Sequence, residues 1–336
     1  MKVTRSDVAR AAGVAPATVS YVLNNSRQIS EKTRQKVMDA VEALNYQPDL
    51  IARGLVTNQT MQLALILSDI GNPFYGEIAR AFEQSALEKG YFVSICSGEG
   101  NLDHYLENLV RRHVDGAVIF ANPTHYQMEN VKKLVDNDIK VVISGNQVPD
   151  QIASIENDYV SGMEQALTHL TESGHRRIAY FSCFGNQVQY DTRIDGFKRA
   201  ANKLGLHQSD ILLVEGKPPY HSDLETGKEM AQEIIRQGMP VTAAVCTNDL
   251  MALGAIQEFH QSGIKVPEDI SVIGCDDIML ASAMIPPLTT IGIDKEKLGR
   301  DAFALLYRQI KTGEIKHEKV TVELKVRSTT TKPGVR

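Results

Sequence analysis

Residues 16–26, PATVSYVLNNS, combine two kinds of side chain in one short stretch. Val19, Val22 and Leu23 recur at helical spacing and need a core, while Thr18, Ser20, Tyr21 and Asn24 offer hydroxyls and an amide from the other side. A merely solvated helix face is usually built from Lys and Glu, which are good helix formers. Thr, Ser, Tyr and Asn cost helix propensity instead. Small hydrogen-bonding groups let a helix approach phosphates and base edges closely, so the stretch points to DNA, with an ordinary three-helix bundle as the alternative. A second set of polar residues follows apolar runs: SDIGNPFYGEI from Ser68, RIDGF from Arg193, TND from Thr247 and GCDD from Gly274. An Asp, an Arg, an Asn and aromatic rings converging on a cleft suit a polyhydroxylated ligand. The charged groups hydrogen-bond hydroxyls in pairs, and ring faces pack on C–H surfaces.

Other chemistries lack their residues. The nine histidines show no H-E-x-x-H or metal spacing, and no G-x-S-x-G elbow or Walker loop occurs, so neither catalysis, a metal nor a cofactor is expected. Cys96, Cys183, Cys246 and Cys275 are far apart and form no C-x-x-C pair, which reads as small apolar side chains in a reducing compartment. The 336 residues imply two or three domains, and 43% apolar content allows a sizeable core. No run of about 18 apolar residues predicts a membrane span, and the amino-terminal stretch lacks the apolar segment of a signal peptide. The expected location is the cytoplasm. Residues 1–60 hold eight Lys/Arg and five Asp/Glu, a net +3, which leaves −8 of the overall −5 for the remainder. A basic head on an acidic body fits a head that meets polyanions.

The elements that must position these groups fall into two styles. Thr4 and Asp7 form a capping-box pattern, Gly13 ends the first helix, Pro16 opens the second, and Ser30 caps a third with Val37, Ala40, Val41 and Leu44 at i, i+3, i+4 and i+7. This is a helix-turn-helix pattern. From about residue 62, apolar runs without strict alternation (63–68, 91–97, 115–122, 140–145, then 177–183, 211–216, 243–249 and 270–277) alternate with helical stretches. Such runs suit parallel strands covered on both faces. Two βα series predict two doubly wound subdomains with a cleft between them, and the ligand at the carboxyl ends of the strands.

The span D-V-A-x-x-A-G-V-x-x-x-T-V-S-x-V-L-N at Asp7–Asn24, S-x-x-T-R at Ser30–Arg34 and Y-x-P at Tyr46–Pro48 resemble the head of the LacI/GalR family of bacterial transcription regulators. The body blocks DIGNPFYGEIARAFE, VDGAVIF, GHRRIAYF, R-x-x-GF, TNDLMALGAIQ, VPEDISVIGCDD, PPLTTI and LGRDAFALL resemble that family's effector domain, itself similar to periplasmic sugar-binding proteins. The resemblance implies a head over 1–48, a hinge helix over 49–60 and a body over 61–336. The body's amino-terminal subdomain would comprise 61–159 and 292–319, its carboxyl-terminal one 160–291 and 320–330. It implies DNA contacts from Thr4, Thr18, Ser20, Asn24 and Arg53, base reading at Pro16, Ala17 and Tyr21, and a minor-groove wedge at Leu55. Pro16 and Ala17 offer few base-directed donors, and many relatives have Arg where Tyr21 stands.

For the cleft, the resemblance implies effector contacts from Asn72, Phe74, Arg193, Asn248 and Asp276, with Tyr75 close by. Asp249 would be shared between contact and cap, and Asp277 would cap the next element. Tyr220, in the long loop 215–227, is a further candidate. The implied function is a repressor of a carbohydrate-utilisation operon that binds a pseudo-palindromic operator as a homodimer and is switched by a sugar or sugar phosphate. The carboxyl-terminal STTTKPGVR has no leucine heptad, so a dimer is expected rather than a tetramer. A nucleobase or a partner protein as trigger, and a solute-binding protein without regulatory role, are the alternatives.

Overall fold

The computed structural model describes residues 3–24, 27–47, 59–98, 101–121, 123–145, 148–185, 191–218 and 220–334. The chain divides at Thr60/Met61 into two compact units.

In the first unit, α1 (Arg5–Ala12) opens on the expected capping box. The Thr4 hydroxyl accepts from the Asp7 amide, and the Asp7 carboxylate takes the Thr4 N–H at 3.0 Å. Gly13 ends the helix at φ 63°, a conformation open to glycine without a Cβ clash. Then come α2 (Pro16–Asn24) and α3 (Glu31–Ala43), the latter capped by the Ser30 hydroxyl. Val8, Ala9, Val19, Val22, Val37 and Tyr46 close a small core. Because α2 spends Val19 and Val22 on that core, its first turn, Pro16 and Ala17, stays exposed.

The second unit holds two six-stranded sheets. The strands are β1 (Gln62–Leu67), β2 (Phe92–Ser97), β3 (Gly116–Phe120), β4 (Lys140–Ser144), β5 (Ala153–Asn157), β6 (Ile178–Ser182), β7 (Ile211–Glu215), β8 (Ala243–Cys246), β9 (Ser271–Asp276), β10 (Thr289–Gly292), β11 (His317–Val320) and β12 (Glu323–Lys325). One sheet runs β11-β5-β4-β3-β1-β2, the other β12-β10-β9-β8-β6-β7. Pairing is parallel except for β10 with β12. Helices α4 (Pro73–Glu88), α5 (Asp103–Arg112), α6 (Met128–Asp136), α7 (Tyr159–Glu172), α8 (Thr192–Lys203), α9 (Leu224–Arg236), α10 (Asp249–Gln261), α11 (Met279–Ala283) and α12 (Lys295–Thr312) follow in order. The chain crosses between the sheets three times: from β5 into α7, from β10 into α12, and from β11 to β12.

The apolar runs behave as expected where strands are central, with Leu63–Leu67 fully buried. The run at β2 does not. It is an edge strand, and Phe92 (69% exposed) and Ile95 face outward. Three strands escape the apolar-run criterion, β5 (ASIEN), β10 (TTIG) and β11 (HEKV), because all are short and carry polar side chains. β11 and β12 lie in different sheets, and the chain changes subdomain between them at Thr321–Val322.

Candidate functional site

A cavity of about 340 Å³ lies between the two sheets and is lined from both. It collects the carboxyl ends of β1, β3, β4, β5, β6, β8 and β9, the position where open α/β sheets bind ligands. Asn72, Phe74, Tyr75, Arg193, Asn248 and Asp276 all line it.

Asn72, Phe74 and Tyr75 form one wall. Asn72 caps α4 by accepting from the Phe74 amide at 3.0 Å, and Pro73 at the first helical position fixes the turn. The rings of Phe74 and Tyr75 meet edge to face at 5.1 Å. Phe74 both joins the core and lines the cavity. Burial pushes the Tyr75 hydroxyl up to about 12, against a hydrogen bond from Ser68 that lowers it, so it is a neutral donor at any physiological pH.

Arg193 dominates the opposite wall. Its Nε donates to the Asp191 carboxylate at 2.7 Å, one Nη donates to the Thr247 carbonyl at 2.7 Å, and the guanidinium lies over the Tyr159 ring, 4.6 Å from its centroid. Burial works against its charge, but Asp191 and the hydroxyls of Tyr159 and Tyr180 outweigh burial and raise its pKa well above the ordinary value. Asp191 also caps α8 through the Arg193 amide, so one carboxylate fixes both the backbone and the head group of the same residue.

Asp276 ends β9 and is 4% exposed. Among the described residues its carboxylate accepts no hydrogen bond. Burial, reinforced by the nearby Asp249, pushes its pKa well up, and Arg193 and Lys295 only partly oppose this. Its neighbours correct two expectations. Asp249 is fully buried and is no ligand contact: it accepts from the Thr290 hydroxyl at 2.5 Å and the Ile278 amide at 2.8 Å, and burial raises it to about 7. Asp277 caps nothing; it pairs with Arg327 at 2.5 Å. Asn248 lines the cavity, yet both ends of its amide carry structure. Oδ1 caps α10 at the Met251 amide (2.9 Å) and Nδ2 donates to the Ser222 carbonyl (2.8 Å), which ties the long loop to the site.

Tyr220 does face the cavity, its ring 6.1 Å from that of Phe184, with φ 61°. Tyr126, Glu156, Asn157, Tyr159 and Asp191 also line it and were not anticipated. The first comes just after a one-turn helix at 123–125. Glu156, Asn157 and Tyr159 lie on or just past the unrecognised strand β5, and knowing that strand would have nominated them.

In the head, Thr18, Ser20 and Tyr21 are half-buried, and Arg27 stacks over the Tyr21 ring at 4.7 Å. The Thr4 hydroxyl is engaged in its capping box. Arg53, Leu55, residues 49–58 of the hinge expected over 49–60 and the side chain of Asn24 lie outside the described residues.

A three-helix helix-turn-helix unit joined to a two-subdomain, cleft-bearing α/β body defines a ligand-responsive DNA-binding regulator. Residues 4–49 match the bacterial regulatory proteins of the lacI family and residues 167–330 the periplasmic binding protein-like domain. The chain is similar to the HTH-type transcriptional repressor PurR of Mannheimia succiniciproducens, with 32% identity over 98% of this chain and 99% of that protein. It is 32% identical to the ribose operon repressor of Escherichia coli K12, over 94% of this chain and 96% of that one. A crystal structure of the lac repressor dimer bound to operator and the anti-inducer ONPF superposes with a TM-score of 0.85 at 28% identity, covering 98% of this chain and all of that one. The chain belongs to the LacI family, transcriptional repressors with an effector-binding body. Among the described residues no helix is long and apolar enough to cross a membrane.

Proposed function

We propose that this repressor is controlled by a small sugar and governs a carbohydrate-utilisation operon from the cytoplasm. The observation that carries the reading is the Asp276 carboxylate. It is buried and without a described hydrogen-bond donor, and it shares the cavity with the anchored Arg193 guanidinium. A desolvated carboxylate gains most from ligand O–H donors, and the guanidinium serves ligand oxygens. Phe74 and Tyr75 supply ring faces for the C–H side of a sugar.

A second reading is favoured by the number of rings around the cavity, with Tyr126, Phe184 and Tyr220 added to Phe74 and Tyr75. A flat nucleobase would stack there. Thermal unfolding of the full chain with D-ribose, other pentoses and hexoses, their phosphates, hypoxanthine and guanine separates the two. A sugar that raises the midpoint by mass action supports the first reading. A rise with purine bases alone replaces it with the second, and no rise with any small molecule favours a protein trigger.

For the head, we propose that the exposed first turn of α2 (Pro16, Ala17), with Thr18, Ser20, Tyr21 and Asn24, enters the major groove. Thr4 and Arg53 lie against the backbone, and Leu55 acts as the minor-groove wedge in a hinge over 49–60. Two copies bind a pseudo-palindromic operator, because one short helix reads few bases and symmetric half-sites double the readout. The outward apolar residues Phe92 and Ile95 on edge strand β2, and Met279, Leu280 and Ile285 around α11, support a homodimer. Ligand that touches both walls binds fully only when they approach, so cleft closure is the variable that couples effector to operator.

A further inference from the structure

Asp276 and Asp277 are consecutive non-glycine residues with positive φ, 115° and 54°. Side chains with a Cβ disfavour that region, and such backbone persists only where neighbours over-determine it. Three neighbours hold this turn. Lys295 Nζ donates to the Asp276 carbonyl at 2.9 Å and the Asp277 carbonyl at 2.6 Å, with the Ile293 carbonyl at 3.3 Å. Arg327 grips the Asp277 carboxylate at 2.5 Å while donating to the Leu288 carbonyl at 2.8 Å. Asp249 accepts from the Ile278 amide.

Asp249 begins α10 and Arg327 comes just after β12, so both belong to the subdomain that carries the turn. Lys295 does not. It is the first residue of α12, just past the β10 crossover, and α12 packs on α4 of the other subdomain. The two helices lie so close that a Cβ at Gly299 would sit 2.5 Å from the Ile78 carbonyl. The ammonium is buried, 6% exposed, and its ion pair is with Glu77 on α4 at 4.0 Å. An ammonium has three N–H groups, and three carbonyls take them. A cation carried by one subdomain thus holds the strained turn of the other, and the side chain of that turn is the cavity carboxylate.

We propose that Lys295 is a positioning residue that couples the aim of the Asp276 carboxyl to the relative orientation of the two subdomains. In one orientation its three hydrogen bonds pin the turn and present the carboxyl to the ligand. Rotation of α4 and α12 draws Nζ away and frees the turn. The effect on ligand affinity rests on the sugar reading above; the hold on the turn does not.

The test uses the full-length protein as wild type, Lys295→Met, which keeps the apolar stem, and Glu77→Gln, which removes only the facing charge. Hydrogen exchange without any small molecule is read at Asp277 and Ile278, and calorimetry measures D-ribose binding. Lys295→Met should speed exchange at the turn about tenfold or more while leaving the β1 and β3 amides unchanged. It should weaken D-ribose about tenfold or more, with Glu77→Gln about threefold in both readings. Acceleration spread over the whole body, unchanged turn exchange, or a faster turn with wild-type ribose affinity overturns the proposal. Wild type that ignores D-ribose counts against the sugar reading, while the exchange arm still decides whether Lys295 holds the turn. If Lys295→Met does not fold, unchanged turn exchange in Glu77→Gln overturns the proposal.

Discussion

At the residue scale, the proposed ligand response rests on Arg193 and Asp276, which both line the cavity, and each is replaceable in a telling way. Arg193→Lys keeps the charge but loses the planar fork that serves Asp191 and the Thr247 carbonyl together. The ratio of operator affinities with and without ligand should fall to near one in Arg193→Ala and remain poor in Arg193→Lys. A preserved ratio in the alanine variant removes Arg193 from the contact set. Asp276→Asn relieves a buried carboxylate that burial already pushes towards its neutral form. The protein should therefore fold at least as stably while binding ligand about tenfold or more weakly, since an amide nitrogen cannot accept from a ligand hydroxyl as a carboxylate oxygen does. Calorimetry with the ligand found in the thermal panel checks this, and undiminished affinity places the ligand elsewhere in the cavity.

At the element scale, close helix packing depends on glycine in the body and on capping in the head. A Cβ at Gly254 of α10 would lie 1.9 Å from the Leu224 carbonyl at the start of α9. Gly254→Ala must push the two helices apart and should cost about 3 kcal/mol in urea unfolding. Thr4→Ala removes one half of a capping box and should cost the head about 1 kcal/mol. The carboxyl-terminal segment is pinned by two histidines. His175 bonds the Thr242 hydroxyl (2.9 Å) and the Thr331 carbonyl (2.7 Å), and His169 bonds the Thr330 hydroxyl (3.0 Å). Burial lowers the pKa of both below the ordinary 6.5. The native state therefore holds them neutral, so their contribution is fully present above about pH 6.5 and fades as pH falls towards the depressed values, where the unfolded chain binds the extra protons. Urea midpoints at pH 7.5 and 5.5 should differ more in wild type than in His175→Gln. Equal differences would show that the tail pin is not what acid releases.

At the scale of the whole molecule, the proposed function makes operator binding and cleft closure one linked equilibrium. Three crossovers join the subdomains, and the two walls of the cavity belong to different sheets. A ligand shifts the equilibrium only by its differential affinity for the two states, which bounds the effect at roughly 1–3 kcal/mol, or about 5- to 150-fold in operator affinity. Operator affinity should also fall about a thousandfold between 50 and 200 mM salt if a dimer neutralises about six phosphates. A footprint without dyad symmetry, or a shallow salt slope, contradicts the dimeric, phosphate-anchored reading. Leu55→Ala should reduce operator bending while leaving ligand affinity within about twofold, because an apolar wedge acts on the base step alone. Unchanged bending in a gel phasing assay removes the wedge role.

Local signals of fixed geometry were legible in the residues alone. The Thr4–Asp7 box, Gly13, Pro16 and Ser30 each act within four residues, so the three helices of the head follow from spacing. Apolar runs marked the central strands, because a strand covered on both faces must be apolar throughout. The same logic missed β5, β10 and β11, and with β5 the Glu156, Asn157 and Tyr159 side of the cavity. Tertiary structure alone decided what long-range partners decide. Asp249, adjacent to Asn248 and equally polar, turns inward because Thr290 and the Ile278 amide, 41 and 29 residues away, satisfy it. Asp277 is taken by Arg327, fifty residues on. Asp276 lines the cavity while Lys295 holds its backbone in a conformation that no local preference would choose. Sequence spacing sets which groups stand at a strand end; a buried polar group must find a partner, and where in the fold it finds one determines which of them faces the cavity.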